Sequence, residues 1–415
     1  MDKRVVAHFQ VLCWLQESVL ASHVVNFLAY LRDRRYAART LHSYTCAVAH
    51  FARWVTLQKV QLPKINEQAV FRFLSVHLSH CSCPYPVLRC KHEIHAALRH
   101  LLAMLRAGGV IPQRQDADPV SLELTRFDAY MQHVRGLAAS TRRQRILIVR
   151  KFLKTQRWSK HCAIDRVDEK LIRTFVLPGD GRYSAGTVRV VGGALRCYLH
   201  YRALQGDKVE HLREAVPSAA HWRLAGLPEL LSGKDLQALL SSFRTLKHSP
   251  KRAYAMVRCL TDLGLRACEV VQLRLDDIDW KGGTIQLPVG KLRRGNVLPL
   301  PEKTGRAIVD YLRTERPRTT NRAVFVRHVA PYDLPIRPGV ARRAVREAYQ
   351  RCGFTHSRVH ILRHTMASRL LRKGASLKEI ADILRHRCLD TSMIYTKVDL
   401  HKLKAVALPW LGRQI

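Results

Sequence analysis

The last quarter of the chain carries side chains suited to chemistry on a phosphodiester. A His-Ile-Leu-Arg-His run spans residues 360–364, and His386 and Tyr395 follow it, nine residues apart. A tyrosine hydroxyl can attack phosphorus, and cationic donors can stabilise the charge that builds on the phosphate oxygens. This combination predicts covalent phosphodiester chemistry with a tyrosine nucleophile.

A second candidate element lies earlier, in the run Gly264-Leu-Arg266-Ala-Cys-Glu269. Arg266 follows an apolar helical segment and stands in the turn before the next helix, so its guanidinium would be held in place. Arginine presents a planar fork that stays charged and can hold two non-bridging phosphate oxygens. On its own, such an arginine is more often a surface or structural residue. Its functional interpretation therefore depends on the whole set of motifs.

The elements around these residues are predicted to be mostly helical. Ser232-Gly-Lys-Asp235 opens a helix, and an apolar helix runs from Arg252 to Leu263. Strand patterns at 283–287 and 296–300 are joined by a basic loop at 289–295 that holds Lys291, Arg293 and Arg294, which predicts a β-hairpin. Helices resume near Glu302, so this part of the chain is expected to be mainly α with a small β-sheet.

The charge of the chain indicates a polyanionic partner. Lys plus Arg is 71 against 32 for Asp plus Glu, a formal net charge of +39 over 415 residues. Such a surplus is unfavourable through self-repulsion unless a polyanion neutralises it, so double-stranded DNA is the favoured partner and an anionic membrane the alternative. No apolar run approaches the roughly 20 residues of a membrane helix. No signal-peptide pattern opens the chain, and we expect a cytoplasmic protein without membrane association.

The first half of the chain contains an internal repeat. Four blocks recur in the same order, which suggests duplication of one helical module of four or five helices. The first block matches Phe27, Ala29, Tyr30 and Thr40 with Phe127, Ala129, Tyr130 and Thr141, and the second matches Phe51 with Phe152. The third matches Ile65-Asn66-Glu67 with Val167-Asp168-Glu169, and the fourth matches Ala97-Leu98-Arg99 with Ala194-Leu195-Arg196. We therefore predict helical modules over 1–112 and 118–206, a linker over 207–226 and a catalytic domain over 227–415.

The helix that follows Thr141 has an apolar face and a basic face. A solvated surface is the ordinary meaning of such charge, but here we favour phosphate contacts, which position a protein on DNA without reading sequence. The candidate DNA-contacting residues of this helix are Arg142, Arg143, Arg145, Arg150 and Lys151, and Arg293 and Arg294 of the basic loop are further candidates.

The 11 cysteines are mostly scattered and are expected to be reduced. One cluster contains His80, Cys81, Cys83, Cys90, His92 and His95. These residue types could hold zinc. Their spacing is not that of a common zinc finger, and Pro84 and Pro86 interrupt the segment, so a loop without metal is the preferred interpretation.

Taken together, the C-terminal motifs closely resemble the tyrosine recombinase family, which includes phage integrases. The ordered set is Gly-Leu-Arg-x-x-Glu, a lysine in a β-hairpin, His-x-x-Arg-His, Leu-x-His and a final tyrosine, over roughly residues 227–411. The two predicted N-terminal modules are compatible with the family's helical core-binding (SAM-like) domain, of which a single copy is usual, and the resemblance implies that a tyrosine-recombinase catalytic domain follows them.

The resemblance also implies roles for individual residues. Tyr395 would form a 3′-phosphotyrosyl link, Arg266 and Arg363 would hold the non-bridging oxygens, and His386 would donate a further hydrogen bond. Lys291 would protonate the leaving 5′ oxygen, His360 would assist proton removal or position the phosphate, and Glu269 would orient Arg266. His364 is expected to be structural. No cofactor is expected, since the covalent phosphotyrosyl link retains the bond energy. No catalytic metal is expected, since no carboxylate cluster in the sequence suggests a two-metal site.

One residue departs from the family pattern, because Arg385 stands where Leu-Gly-His is common. It could add a DNA contact or crowd the site, and we expect activity to survive. The resemblance further implies a synaptic tetramer on DNA, sister recombinases as partners, and an apolar tail that docks either on its own domain or on a neighbour. The tail residues are Val406, Leu408, Trp410 and Leu411.

The expected reaction is integration, excision or transposition of a mobile element. Two alternatives stay open at this stage. One is an enzyme like the type IB topoisomerases, which uses the same chemistry on a single duplex. The other is a catalytically silent DNA-binding subunit that helps an active recombinase assemble.

Overall fold

The computed structural model describes residues 9–84, 87–113, 119–155, 164, 167–220, 227–287, 296–356, 358–386 and 391–398. Within these residues the chain is mainly helical with one small antiparallel sheet, as predicted. The chain divides into two compact units, one of residues 109–223 and one that combines residues 1–108 with 224–415. The finer division into two modules, a linker and a catalytic domain stays a prediction.

Residues 9–107 form five α-helices. They are α1 (Phe9–Gln16), α2 (Val24–Asp33), α3 (Ala38–Leu57), α4 (Glu67–Arg72) and α5 (Lys91–Ala107). A π-helical turn, Phe73–His77, continues α4 directly. Helix α3 is buried along most of its length, because α1, α2 and α5 all pack on it.

The unit of residues 109–223 is built from five further helices. They are α6 (Pro119–His133), α7 (Ala139–Thr155), α8 (Glu169–Val176), α9 (Ala185–Leu204) and α10 (Glu210–Glu214). Phe127, Phe152 and Tyr198 are fully buried at the centre of its core. A buried carboxylate, Glu123, accepts hydrogen bonds from the Tyr198 hydroxyl and from Arg202 Nη1, each at 3.0 Å. The burial of its charge is thereby compensated.

Seven helices and the sheet make up residues 227–398. The helices are α11 (Gly233–Ser241), α12 (Pro250–Asp262), α13 (Ala267–Gln272), α14 (Glu302–Thr314), α15 (Pro338–Arg351), α16 (His360–Arg372) and α17 (Leu377–Leu384). A final 3₁₀ segment spans Met393–Val398. The expected helix start at Ser232 is confirmed, because Ser232 and Asp235 form a reciprocal capping box.

The sheet contains the predicted hairpin and one strand more. Its strands are β1 (Ile278–Asp279), β2 (Thr284–Leu287) and β3 (Asn296–Pro299), paired antiparallel in that order. Ile285 pairs with Ile278 on one side and with Leu298 on the other, and all three side chains face the core. At two residues, β1 is too short to give a periodic pattern in the sequence.

The matched positions of the internal repeat occupy corresponding places in the helices. Thr40 and Thr141 are each the third residue of a long helix, and Phe51 and Phe152 are each completely buried. Asn66 and Asp168 both cap the helix that follows. The two copies therefore use the same residue types for the same local tasks, which supports the predicted duplication.

In the described part of the chain, no single helix is long and apolar enough to span a membrane. Helix α1 and the segment Ala21–Asp33 are together long and apolar enough, but a bend of 112° separates them. Their apolar side chains Val11, Trp14 and Leu31 are buried inside the protein.

The two caps give a matched test of the local structure. The Asn66 side chain accepts from the backbone N–H groups of Gln68 at 2.9 Å and Ala69 at 3.1 Å, and Asp168 accepts from Leu171 N–H at 2.7 Å. We expect Asn66→Ala and Asp168→Ala each to lower the free energy of unfolding by about 1 kcal/mol, measured by urea denaturation. Asn66→Asp and Asp168→Asn keep a capping oxygen and should stay close to the original stability. Equal losses in the alanine and conservative variants would contradict the capping role.

Candidate active site

Arg363 lies at the centre of the predicted site. It is only 5% exposed, and its two terminal nitrogens donate to the backbone carbonyl oxygens of Gly264 and Leu384. Helix α16 is thereby tied to the turn before α13 and to the last residue of α17. A guanidinium has five N–H donors, so these two bonds occupy only part of its capacity.

Gly264 fits this turn because it lacks a side chain. Its φ is +59°, in the left-handed region that favours glycine, and an added Cβ would lie 2.8 Å from Leu384 Cδ2 and 3.2 Å from Met366 Sδ. The close approach of the three elements at this point therefore depends on the glycine of the Gly-Leu-Arg motif.

Glu269 connects the predicted first arginine to the unusual one. Its carboxylate accepts from Arg266 N–H at 2.7 Å and from Arg266 Nη1 at 2.8 Å, so Arg266 is held at the start of α13 as the sequence suggested. The same carboxylate accepts from Arg385 Nη2 at 2.6 Å. Glu269 thus lies between two guanidinium groups, and the Arg266 side chain stays partly exposed.

The structure shows the local effect of Arg385, the residue that departs from the family pattern. It ends α17 with φ and ψ both at 53°, the left-handed position where glycine is usual. Its side chain is 9% exposed and points inward to Glu269 rather than out to solvent. The ion pair offsets the backbone strain that a non-glycine residue brings to this position.

His386 and Tyr395 come together with His364. The Tyr395 hydroxyl lies 3.1 Å from His364 Nδ1 and donates to that nitrogen when it carries no proton. His386 Nδ1 lies 2.7 Å from Ser392 Oγ, and its ring stacks with that of Tyr395 at 6.4 Å between centroids. Tyr395 is 1% exposed. His364 was expected to be structural, but its contact with the tyrosine hydroxyl makes it a functional candidate.

Burial and the arginines set the protonation of this group. Burial raises the pKa of Tyr395, and Arg363 and Arg266 oppose that shift. Burial, His360 and Arg363 lower the pKa of His364 to about 4, and burial with Arg363 and Arg266 lowers the pKa of His386 to about 4. Both histidines are therefore neutral at pH 7, and each offers one donor and one acceptor nitrogen.

His360 is the first residue of α16 and is exposed. Desolvation of its ring, followed by the charges of Arg363 and Arg266, lowers its pKa. Burial lowers the pKa of Arg363 to about 9, which still leaves the guanidinium charged at neutral pH.

Several predicted residues cannot be located. Lys291, Arg293 and Arg294 lie outside the described residues, as does the apolar tail with Val406, Leu408, Trp410 and Leu411. The role of Lys291 as proton donor therefore stays a prediction, and so does tail docking.

The basic residues predicted to contact DNA lie on α7. Arg143, Arg150 and Lys151 are exposed, whereas Val149, Phe152 and Leu153 of the same helix are buried. Arg142 is partly buried and pairs with Asp128 at 3.5 Å, and Arg145 is also partly buried. An exposed basic face is thus present on α7, and its contact with phosphates stays a prediction.

Comparison with known proteins decides the family. The model of the phage integrase family matches residues 229–401. The y4rA protein of Sinorhizobium fredii, provisionally named an integrase/recombinase, is 36% identical over 403 residues, which are 95% of this chain and 96% of that protein. This chain belongs to the phage integrase, or tyrosine recombinase, family.

Two further comparisons extend this assignment. The tyrosine recombinase XerD of Listeria monocytogenes serotype 4b is 30% identical to this recombinase over 240 residues, 55% of this chain and 76% of that protein. The crystal structure of a lambda integrase tetramer bound to a Holliday junction superposes with a TM-score of 0.51 at 13% identity, covering 74% of this chain and 88% of the lambda chain. That likeness concerns the fold alone.

The left-handed residue at the end of α17 can be tested with two substitutions. Arg385→Gly and Arg385→Ala both remove the ion pair with Glu269, but only alanine keeps a Cβ at φ 53°. We expect the glycine variant to be more stable than the alanine variant by about 1 kcal/mol in urea denaturation. Arg385→Asn, which tolerates this conformation better than alanine, should fall between them. Equal stabilities of the three variants would contradict the assigned backbone conformation.

The neutral histidines predict a loss of stability in acid. An unfolded histidine takes up a proton near pH 6.5, whereas His364 and His386 do so only near pH 4 in the folded protein. Stability should therefore be complete above pH 6.5 and fall as the pH drops from about 6.5 towards 4. Urea midpoints measured at intervals from pH 7.5 to 4.5 would show this fall. The slope should be shallower in His364→Asn, and parallel curves would contradict the assignment.

Proposed function

We propose that this protein is a site-specific DNA recombinase that cuts and rejoins strands through a covalent 3′-phosphotyrosyl intermediate on Tyr395. The observation that carries the proposal is the convergence of Tyr395 and its two histidines on a network of three arginines and Glu269. This is a nucleophile next to fixed cationic donors, the arrangement that phosphodiester transfer requires.

The proposed reaction needs no cofactor, because each bond that breaks is matched by one that forms. The Tyr395 oxygen attacks phosphorus, a tyrosyl–phosphate bond forms, the bond from phosphorus to the 5′ oxygen breaks, and the phenolic proton leaves to a base. In the reverse step a 5′ hydroxyl attacks the phosphotyrosine and releases the tyrosine. Lys291 is the proposed donor of the proton that the leaving 5′ oxygen takes up. The phosphotyrosyl bond stores the energy of the broken linkage, so no nucleotide hydrolysis is needed.

The charge of the network suits a transition state with extra negative charge. Arg266, Arg363 and Arg385 bring three positive charges, and Glu269 brings one negative charge. The surplus of positive charge is partly desolvated, so an entering phosphodiester would be strongly attracted. Arg266 keeps an exposed fraction of about a third of its side chain, which leaves it accessible to a phosphate.

His364 is the best-placed residue to activate the nucleophile. Its Nδ1 lies 3.1 Å from the Tyr395 hydroxyl, within hydrogen-bond reach of the proton to be removed. A neutral imidazole can accept that proton, and a negative phosphate nearby would raise the basicity of the ring. We therefore assign proton removal to His364 and phosphate positioning to His360, which begins the same helix.

The tyrosine must become accessible before it reacts. Tyr395 packs in a small cluster with Ala367, Leu371, Ile380 and Leu384, and its 1% exposure excludes a phosphate from the hydroxyl as it stands. The short 3₁₀ segment that carries Tyr395 is the element whose displacement would release it. Cleavage would then depend on a rearrangement that DNA binding or a second protomer induces.

Duplex DNA and self-association follow from charge and from the relatives. The formal net charge of +39 would be neutralised by DNA phosphates. The lambda integrase structure contains a tetramer on a Holliday junction, and y4rA carries a provisional integrase/recombinase name. We extend a tetrameric synapse and a role in integration, excision or transposition of a mobile element to this protein, with sister recombinases as further candidate partners.

The proposal predicts a covalent adduct. Full-length protein mixed with nicked suicide duplexes, made from the DNA that flanks its gene, should give a shifted protein–DNA band on a denaturing gel. Tyr395→Phe should abolish the band, because it removes the attacking oxygen. Arg266→Ala should slow its formation by about 10²–10³-fold, because it removes one donor from the developing charge.

A separate measurement of DNA binding distinguishes a loss of strand cleavage from a loss of DNA affinity. Both variants should retain duplex affinity in a mobility-shift assay, and Arg306→Ala should leave cleavage unchanged, since that exposed residue pairs only with Glu302 in the described structure. Tight binding without an adduct in the unmodified protein would favour the silent DNA-binding role. A persistent adduct in Tyr395→Phe would overturn the assigned nucleophile.

A further inference from the structure

Four potential metal ligands meet outside the candidate active site. They are His50, His77, Cys81 and Cys83, which we call the His₂Cys₂ cluster, and their ligand atoms all lie within 4.8 Å of one another. We propose that this cluster binds one Zn²⁺ ion that fastens helix α3 to the segment after α4. The proposal rests on residues 38–83 and is independent of the proposed recombinase chemistry.

The distances match those around a tetrahedral zinc ion. His50 Nε2 lies 3.2 Å from His77 Nε2 and 3.2 Å from Cys81 Sγ, and Cys83 Sγ lies 3.8 Å from His77 Nε2. Zinc bonds of about 2.0–2.1 Å to nitrogen and 2.3 Å to sulfur place two nitrogens about 3.3 Å apart and a nitrogen and a sulfur about 3.6 Å apart. These three separations differ from the tetrahedral values by at most about 0.4 Å.

The surrounding structure holds the two imidazoles in position. His50 is completely buried in α3, and its ring meets the edge of Phe73 at 5.0 Å between centroids. The π-helical turn ends at His77, whose ring stacks on Phe73 at 5.3 Å between centroids. π-Helical turns are rare and often occur at functional sites, and here the turn directs His77 towards His50.

The two cysteines complete the set with thiolate chemistry. The backbone N–H of Cys83 donates to Cys81 Sγ at 3.4 Å, a contact that supports a metal-bound thiolate. Binding would release one proton from each thiol, and two thiolates with one Zn²⁺ form a neutral centre. A neutral centre is far less unfavourable to bury than a charged one. Two sulfur and two nitrogen ligands in a closed tetrahedron are typical of a structural zinc site.

The proposed site departs from the sequence prediction, which preferred a loop without metal, and its ligands also differ from the cluster considered there. Cys81 and Cys83 belonged to the predicted cluster, but His50 and His77 replace the other members. His80, Cys90, His92 and His95 are exposed. The internal repeat also limits the site to the first copy, because Phe51 matches Phe152 and His50 therefore matches Lys151.

Metal analysis of the full-length protein tests the proposal. Protein purified without a histidine tag and dialysed against zinc, then against metal-free buffer, should retain about one zinc per chain by mass spectrometry. Cys81→Ser and His77→Gln should reduce the content at least about tenfold. Cys90→Ser and His92→Gln are matched controls of the same chemistry outside the cluster, and they should keep it.

A measurement on the unmodified chain guards against variants that fail to fold. Metal-free protein titrated with Co²⁺ should develop the visible absorption of tetrahedral cobalt with thiolate ligands, saturating at one equivalent, and zinc should displace it. A strong chelator should lower the melting temperature of the zinc-loaded protein but not that of a folded Cys81→Ser variant. No cobalt spectrum, a Cys81–Cys83 disulfide in freshly purified protein, or loss of zinc in Cys90→Ser instead of Cys81→Ser would overturn the proposal.

Discussion

The burial of Arg363 is the constraint on which the candidate site depends. Its guanidinium holds the carbonyls of Gly264 and Leu384, so one side chain fixes the meeting of three helical elements. A buried charge without a bound anion is unfavourable, and carbonyl dipoles compensate it only in part. The lowered pKa of Arg363 reflects that incomplete compensation. If the protein binds DNA as proposed, a phosphate that enters the site would supply the missing negative charge, and the fold and substrate binding would then depend on the same interaction.

Glu269 distributes this positive charge. It holds Arg266 at the start of α13 and Arg385 at the end of α17, two elements that are distant in sequence. Arg385 occupies a backbone conformation that favours glycine. The strain of that conformation is destabilising, whereas the ion pair with Glu269 is stabilising. The replacement of the common glycine therefore adds a charge to the network without extending a side chain towards solvent.

The predicted first module is held together by other contacts than those of the candidate active site. Its long central helix is buried by α1, α2 and α5, and the His₂Cys₂ cluster lies where α3 faces the π-helical turn. The second copy has a lysine at the position of His50 and instead buries an ion pair between Glu123 and Arg202. The two predicted modules thus share helix caps and buried aromatic residues but differ in the polar groups of their interiors.

Local sequence patterns are enough to predict several of the helices and strands. The sequence alone predicts the helix start at Ser232, the apolar helix before Gly264 and the strands at 284–287 and 296–299, because each depends on neighbouring residues. The order of the catalytic motifs was likewise enough to indicate the family. Strand β1 was missed because two residues carry no periodicity.

Only the tertiary structure decided which side chains meet. The contact of His364 with Tyr395 joins residues 31 apart, that of Arg385 with Glu269 joins residues 116 apart, and that of His50 with His77 joins residues 27 apart. Spacing along the chain predicts partners within one helix or hairpin, but the packing of separate helices sets these longer pairings. For the same reason the sequence suggested Cys90 and His92 as neighbours of Cys81, whereas the fold brings in the two histidines from α3 and the π-helical turn.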